Sequence, residues 1–518
     1  MNIFNNVAGM RTPRNKFNLS HERKFSLAMG QLVPTFWEEV IPGDKIQINQ
    51  ELIMRMAPMI APIMHKIDVW THYFFVPNRL VWDNWEQFIT GGEDGLQIPE
   101  MPYLQINDAE KNWFSEGYLP DFLGIATVDT SQTIVGSTKI NALPFRAYNT
   151  IFNEYYRDQN TQEPIFTEKT DGNIGPVASN YAKIRRRSWG KDYFTSALPF
   201  QQRGNPTVLP TDVTYKDSAY IKQADGSGPS IQDGAQVSGS GFFTNDADSE
   251  SYSIENIESL GITVEDLRQS TRLQEWLERQ ARGGGRLTET ILSHFGVKSK
   301  DQRLQRPEYL GGSRNPLSVS EVLNTTGISA LTNGEGGDVQ GAMSGHGVAV
   351  GANKGFSKYF TEHGHVFGIT SVMPKRNYQQ GIDRRHTRFD KFDYYWPEFA
   401  NIGEQAIKGK EIYLQTDAQG DEENEKTWGY QSRYAEYKHK TSTVHGSFRS
   451  TLDFWHLGEK FDSKPELNDF FMECRPSDRI FAVTQPTQTD KAGEELYCQV
   501  HNSVNAIRPM PYFGTPRL

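Results

Sequence analysis

Across residues 45–55 the chain alternates. Ile46, Ile48, Leu52 and Met54 fall on one parity and Gln47, Asn49, Glu51 and Arg55 on the other, with Gln50 the one break. A period of two fits a strand with one buried face and one wet face. A second run, Ile67-Asp-Val-Trp-Thr-His-Tyr-Phe-Phe-Val76, is β-branched or aromatic on both parities and stops at Pro77, which reads as a strand buried on both faces. Further strands are predicted at 356–360, 365–373, 443–448, 479–484 and 496–500. Helices fall in the connections. Asn78 caps one carrying Val81, Trp85, Phe88 and Ile89, closed by Gly91-Gly92. Another follows Pro144 with Phe145, Tyr148, Phe152 and Tyr155 on one face. A third spans about 264–282, entered by Thr263 and Asp266 and bearing Leu273, Trp276 and Leu277. Strands at both ends with helices between them are not a β-α-β alternation, so a doubly wound sheet is excluded.

The 518 residues would ordinarily mean roughly two to four domains. Lys plus Arg number 54 against 64 Asp plus Glu, a net charge of −10, so any nucleic-acid contact must be local. One such place is the first thirty residues, where Arg11, Arg14, Lys16, Arg23 and Lys24 face Glu22 alone and no periodicity is visible; we read an extended basic arm. Two cysteines, Cys474 and Cys498, are too few for a bridged secreted protein and too far apart for a zinc knuckle. No apolar core of a signal peptide follows Met1, and the most apolar stretch, 54–64, is broken by Pro58 and Pro62. The expectation is a soluble chain made in a cytoplasm, without membrane insertion.

Catalytic motifs are absent. Gly345-His-Gly347-Val-Ala-Val-Gly351 fails the spacing of a dinucleotide fingerprint, and neither a P-loop nor a G-x-S-x-G elbow occurs. His363-Gly-His365 has no third ligand, so both read as strand histidines, and His439, His445 and His456 show no ligand spacing. The acidic run at 417–425 does not match a calcium loop and reads as solvated surface. No catalytic residue, cofactor or metal is therefore assigned. Two stretches interleave cations with rings: 384–396, with Arg384, Arg385, Tyr394, Tyr395 and Trp396, and 428–440, with Trp428 and Tyr430. Such mixtures stack single-stranded bases or pack between protein subunits. Asp383, Asp390, Asp393 and Glu436 among them favour the subunit interface. Arg185-Arg186-Arg187 reads as a basic surface spot. Residues 221–250 hold five Gly and five Ser, and 311–355 hold eleven Gly; both read as long loops.

The blocks Glu39-Val-Ile-Pro-Gly-Asp44, Arg55-Met-Ala-Pro-Met-Ile-Ala-Pro-Ile-Met-His65 and Thr71-His-Tyr-Phe-Phe-Val-Pro-Asn-Arg79 resemble the N-terminal signature of the major capsid proteins of microviruses, small icosahedral single-stranded DNA bacteriophages, most nearly the gokushovirus branch. Later blocks agree, among them Leu143-Pro-Phe-Arg-Ala-Tyr-Asn149, Pro307-Glu-Tyr-Leu-Gly-Gly312, Trp428-Gly-Tyr-Gln431 and Arg508-Pro-Met-Pro-Tyr-Phe-Gly514. The likeness runs from about residue 17 to the C-terminus and breaks mainly across 205–260.

That resemblance implies a mainly β fold: one eight-stranded antiparallel jelly-roll barrel over 31–518, with long loop insertions containing helices. It implies about 60 copies closing into a T=1 shell around circular single-stranded DNA in the virion, assembled in a host bacterial cytoplasm. An acidic shell cannot neutralise DNA alone, so a small basic DNA-binding virion protein is an expected partner, with Arg11, Arg14, Lys16, Arg23 and Lys24 as candidate inward-facing cations. A pilot protein and a host surface receptor are further possible partners. The variable insertion implies a surface protrusion for host attachment, with Asp225, Ser227, Ser238, Phe242 and Phe243 as its candidates. Two other classes stay open: a carbohydrate-binding or carbohydrate-active β-sandwich, and a single-strand DNA-binding protein, which would need a basic groove.

Overall fold

The computed structural model describes residues 13–175, 178–205, 220–223, 252–255, 264–323, 343–417, 420–482 and 494–513. The chain divides into two compact units, Gln201–Gly283 and the remainder. The described part of the smaller unit holds a two-stranded ladder, Tyr220–Gln223 with Tyr252–Glu255, and the helix Val264–Gly283. In that helix Leu273 and Trp276 stay about half exposed.

The larger unit is built on two antiparallel sheets. The larger sheet takes strands β1 (Asn15–Asn18), β2 (His21–Leu27), β4 (Lys45–Met56), β7 (Ser318–Leu323), β8 (Met343–Tyr359) and β10 (Leu496–Arg508). β10 pairs β4 on one side and both β2 and β1 on the other, while β8 joins β4 to β7. The smaller sheet has the order β6-β5-β9-β3, from β3 (Val33–Val40), β5 (Ile67–Pro77), β6 (Glu308–Pro316) and β9 (Gly364–Pro374). The fold is thus mainly β and antiparallel, as expected. The two ladders are separate and no closed barrel is seen among the described residues.

The inner faces of the two sheets meet in two apolar clusters. One joins Leu52, Met54, Val500 and Leu496 to Val33, Val69 and Val372. The other joins Ile46, Ile48, Val504 and Ala506 to Phe36, Tyr73, Phe75 and Val366. Between them lies a buried polar belt. Gln50 Nε2 donates to Asn502 Oδ1 and Thr35 Oγ1, both at 3.2 Å, and Thr370 Oγ1 lies 3.1 Å from Thr35 Oγ1 and 3.0 Å from Thr71 Oγ1. Gln50 therefore breaks the alternation in kind but not in direction: it faces inward and bonds across the sandwich.

The smaller sheet's far face is also covered. Phe74, Val76, Phe367 and Ile369 pack there against helix α1 (Leu143–Ile151) and its continuation Phe152–Tyr156. This accounts for the burial of both parities over residues 73–77 of β5, where Asp68, Trp70 and His72 before them stay half-buried, and for the complete burial of β9. The larger sheet's far face carries no such layer among the described residues, and β4 alternates exposed and buried along its whole length.

Several expectations need correction. The segment 311–355, expected as a glycine-rich loop, is strand wherever it is described apart from Leu317. The four glycines of β8, Gly345, Gly347, Gly351 and Gly355, follow its inward parity: a Cβ at Gly347 would stand 2.5 Å from Met56 Sδ, and one at Gly355 2.5 Å from the Ile48 carbonyl oxygen. They serve close packing, not turning. Within 1–30, expected as an extended basic arm with no strand period, β1 and β2 are strands paired to the C-terminal strand β10. The expected strand at 443–448 reduces to the pair Ser442–Thr443 followed by a 3-10 turn, Gly446–Arg449. Residues 479–482 form a turn with one isolated bridge, Met59 to Phe481. The triplet Arg185–Arg187 is not a surface spot: Arg186 donates to the carbonyls of Met29 and Cys474, Arg187 lies over Trp70 and Tyr156, and burial lowers all three pKa values.

Candidate assembly surface

The two ring-and-cation stretches converge on one surface. Residues 384–399 make three short 3-10 turns, the first capped by the Asp383 carboxylate on the Arg385 N–H and the last entered by Pro397. The strand Thr427–Ser432 and the helix Ala435–Lys438 bring the second stretch alongside. A buried ion pair ties them, Arg388 Nη2 to Glu436 Oε1 at 2.9 Å, and Glu436 also accepts from Gln405 Nε2 at 2.8 Å. Arg388 further donates to the Tyr437 hydroxyl at 2.7 Å and lies over its ring. Tyr434 adopts a left-handed backbone (φ 60°), costly for a tyrosine; its hydroxyl donates to the Tyr394 carbonyl and accepts from the Trp396 N–H.

With Arg388 and Tyr434 spent on this frame, the neighbouring rings face outward. Phe389 is 91% exposed, and Phe392, Tyr394, Tyr395, Trp396 and Tyr437 are each about half exposed. Contiguous exposed rings of this kind mark an interaction surface. The frame is also electrostatically settled. Backbone N–H groups of Asp390 and Phe389 hold the Asp393 carboxyl below the usual carboxylate range. Burial raises that of Glu411, against the pull of Arg384.

The sequence candidates separate on inspection. Tyr394, Tyr395 and Trp396 lie on the exposed aromatic surface. Arg384 is bound inward to the Ala406 carbonyl and Glu411, and Arg385 pairs with Asp383. Trp428 donates to the Pro465 carbonyl and packs edge-on against Phe194 and Phe471, while the Tyr430 backbone bridges to Leu198. Of the basic arm, Lys16 and Lys24 are exposed on the larger sheet, and Arg14 donates to the Tyr359 hydroxyl. Arg23 turns the other way, into the sandwich, and donates to the carbonyls of Pro34 and Phe122. Arg11, Asp225, Ser227, Ser238, Phe242 and Phe243 lie outside the described residues.

Sequence reading missed a second apolar surface, the helix Leu287–Phe295, where Leu287, Leu292 and Phe295 are all more than half exposed. Its signal is the apolar spacing just after the glycine triplet at 283–285. Among the described residues no group of three or more His, Cys, Asp or Glu is placed to hold a metal ion, and no helix is long and apolar enough to cross a membrane.

Comparison with known proteins gives these surfaces a setting. A family model described as capsid protein (F protein) matches residues 5–518. The chain is 35% identical to capsid protein VP1 of Chlamydia phage 1, covering 100% of this chain and 98% of that one. It is 36% identical to VP1 of Bdellovibrio phage phiMH2K and 30% identical to VP1 of Spiroplasma virus 4, each over 99% of this chain and 97% of the relative. Matched from end to end, the chain belongs to the capsid protein (F protein) family of microviruses, structural virion proteins and not enzymes.

Proposed function

We propose that about 60 copies of this chain close into a T=1 icosahedral shell around a circular single-stranded DNA genome. The end-to-end family match carries this reading. The strand orders β2-β10-β4-β8 and β3-β9-β5-β6 support a jelly-roll description, since they are the two four-stranded halves of that topology, with β1 and β7 as additions at the edges. The capsid domain would then begin near residue 15 and not at residue 31, since β1 and β2 belong to its larger sheet, and the insertion at 205–260 would be its protrusion for host attachment.

The exposed aromatic surface at 389–396 supports a subunit contact. Tyr, Trp and Phe concentrate at the cores of such contacts, and many modest contacts per subunit stabilise a closed assembly. A small basic virion protein would neutralise most of the genome, with a pilot protein and a host receptor as further partners, after assembly in the bacterial cytoplasm. Sedimentation and negative-stain microscopy of the purified chain should show uniform particles of tens of subunits, and Trp396→Ala with Tyr395→Ala should shift them toward free subunits. A wild-type chain that stays monomeric at every concentration defeats the shell reading.

A further inference from the structure

The open face of the larger sheet is unlike the rest of the molecule. Strand register lays it out in rows. Lys16 of β1, Ile507 of β10, Lys45 of β4 and Tyr359 of β8 form one row, and Lys24, Gln499, Ile53 and Val350 form another. Asn49 lies between Ser503 and Lys354, and Arg55 between Tyr497 and Val348. The outward charges on these strands are five cations, Lys16, Lys24, Lys45, Arg55 and Lys354, against two carboxylates, Glu22 and Glu51. The chain as a whole has more carboxylates than cations, 64 to 54, so this face departs from it in sign. Among the described residues Lys16, Lys45, Arg55 and Lys354 have no ion-pair partner, and Lys24 has only Glu22 at 4.0 Å.

Four apolar side chains are exposed within the cations: Val350 at 70%, Tyr359 and Tyr497 each at 46% and Ile53 at 45%. The other outward residues include the amides and hydroxyls Gln47, Asn49, Gln499, Ser503 and Asn505, beside Ile507, Val348 and His501. We propose that this face binds single-stranded DNA and so forms the inner wall of the shell, an inference that rests on the capsid reading. Unpaired lysines neutralise phosphates and release counterions. Tyr497 and the aliphatic side chains offer flat apolar support to bases, and the amides offer hydrogen bonds to base edges. A protein partner fits less well, because Lys is depleted from subunit interfaces, where Tyr, Trp and Phe concentrate. The two kinds of chemistry are sorted onto two surfaces: rings at 389–396, lysines and amides on the sheet. The two carboxylates share one row with His501, so the DNA contact divides into two cationic bands about that row.

The test uses the full chain producing genome-filled particles. In one variant Lys16, Lys45, Arg55 and Lys354 are all changed to Gln. In the control the exposed Lys139, Lys169, Lys298 and Lys300 are changed to Gln, the same charge loss elsewhere. The sheet variant should form particles of wild-type size whose DNA content falls by more than about two-fold, while the control keeps its DNA. Ultraviolet cross-linking of intact wild-type particles should yield nucleotide adducts on Tyr497. Wild-type DNA content in the sheet variant overturns the inference. So does equal loss in both variants, failure of the sheet variant alone to form particles, or cross-links from this face to protein instead of DNA. If the wild-type chain forms no particles at all, it is the shell reading that fails.

Discussion

The two sheets of this sandwich share one interior yet meet opposite surroundings on their far sides. In the smaller sheet β9 is buried throughout, with Val366 and Val372 in the sandwich and Phe367 and Ile369 under the helical layer. In the larger sheet β4 buries one parity and leaves the other outside. A residue's worth therefore depends on its parity as much as on its strand. Inward or covered positions hold the fold, and the open parity is left for contacts beyond the chain.

Phe367 sets the upper end of that contrast. Phe367→Ala should cost about 3–5 kcal/mol of unfolding free energy, measured by urea denaturation of the isolated subunit, whereas Val350→Ala on the open face should stay within about 0.5 kcal/mol. Equal effects would erase the distinction between the faces.

His365 sharpens it through pH. It lies on the covered face, stacked on Trp37 at 6.0 Å, with no hydrogen-bond partner for either ring nitrogen among the described residues. Burial lowers its pKa to about 4. The unfolded chain takes up a proton near pH 6.5 that the folded chain refuses until about 4, so stability is full above pH 6.5 and falls as pH drops through that window. The loss is on the order of 3 kcal/mol for this side chain. His65 and His72, also lowered to about 4 by burial, add in the same direction. His365→Phe should flatten the fall in melting temperature between pH 7 and 4; an unchanged profile removes His365 as its source.

The smallest effects separate two neighbours in β2. Arg23→Ala leaves two inward carbonyls without their donor and should cost about 1–3 kcal/mol. Lys24→Ala, one residue on and on the open face, should be within about 0.5 kcal/mol of wild type. Thermal unfolding of the pair decides, and equal losses would mean that β2 has no inside and outside.

Much of this is readable in the chain, for reasons that differ by region. The alternation of β4 survives intact and the double burial of β5 holds over residues 73–77, because burial on one or two faces writes directly into side-chain parity. The helices at 143–151 and 264–283 were visible through period and entry signals. β8 was not, since its inward glycines, forced by the approach of Met56 and Ile48, look locally like loop glycines. β1 and β2 were hidden because they complete a sheet whose partner lies nearly five hundred residues away. Of the site, the rings at 394–396 were legible as an exposed mixed surface. The inward roles of Arg384, Trp428 and Arg23 were not, because a cation or indole reads the same in sequence whether it meets solvent or a backbone carbonyl.

β10 follows the other nine strands of the two sheets in chain order and sits in the interior of its sheet, with β4 on one side and β1 and β2 on the other. Until it emerges from the ribosome, the first strands have no neighbour and β4 carries an unpaired edge. Every subunit that completes this sheet has thereby been translated to about residue 508. A chain cut before β10 would leave β4 with an open ladder and β1 and β2 without their partner.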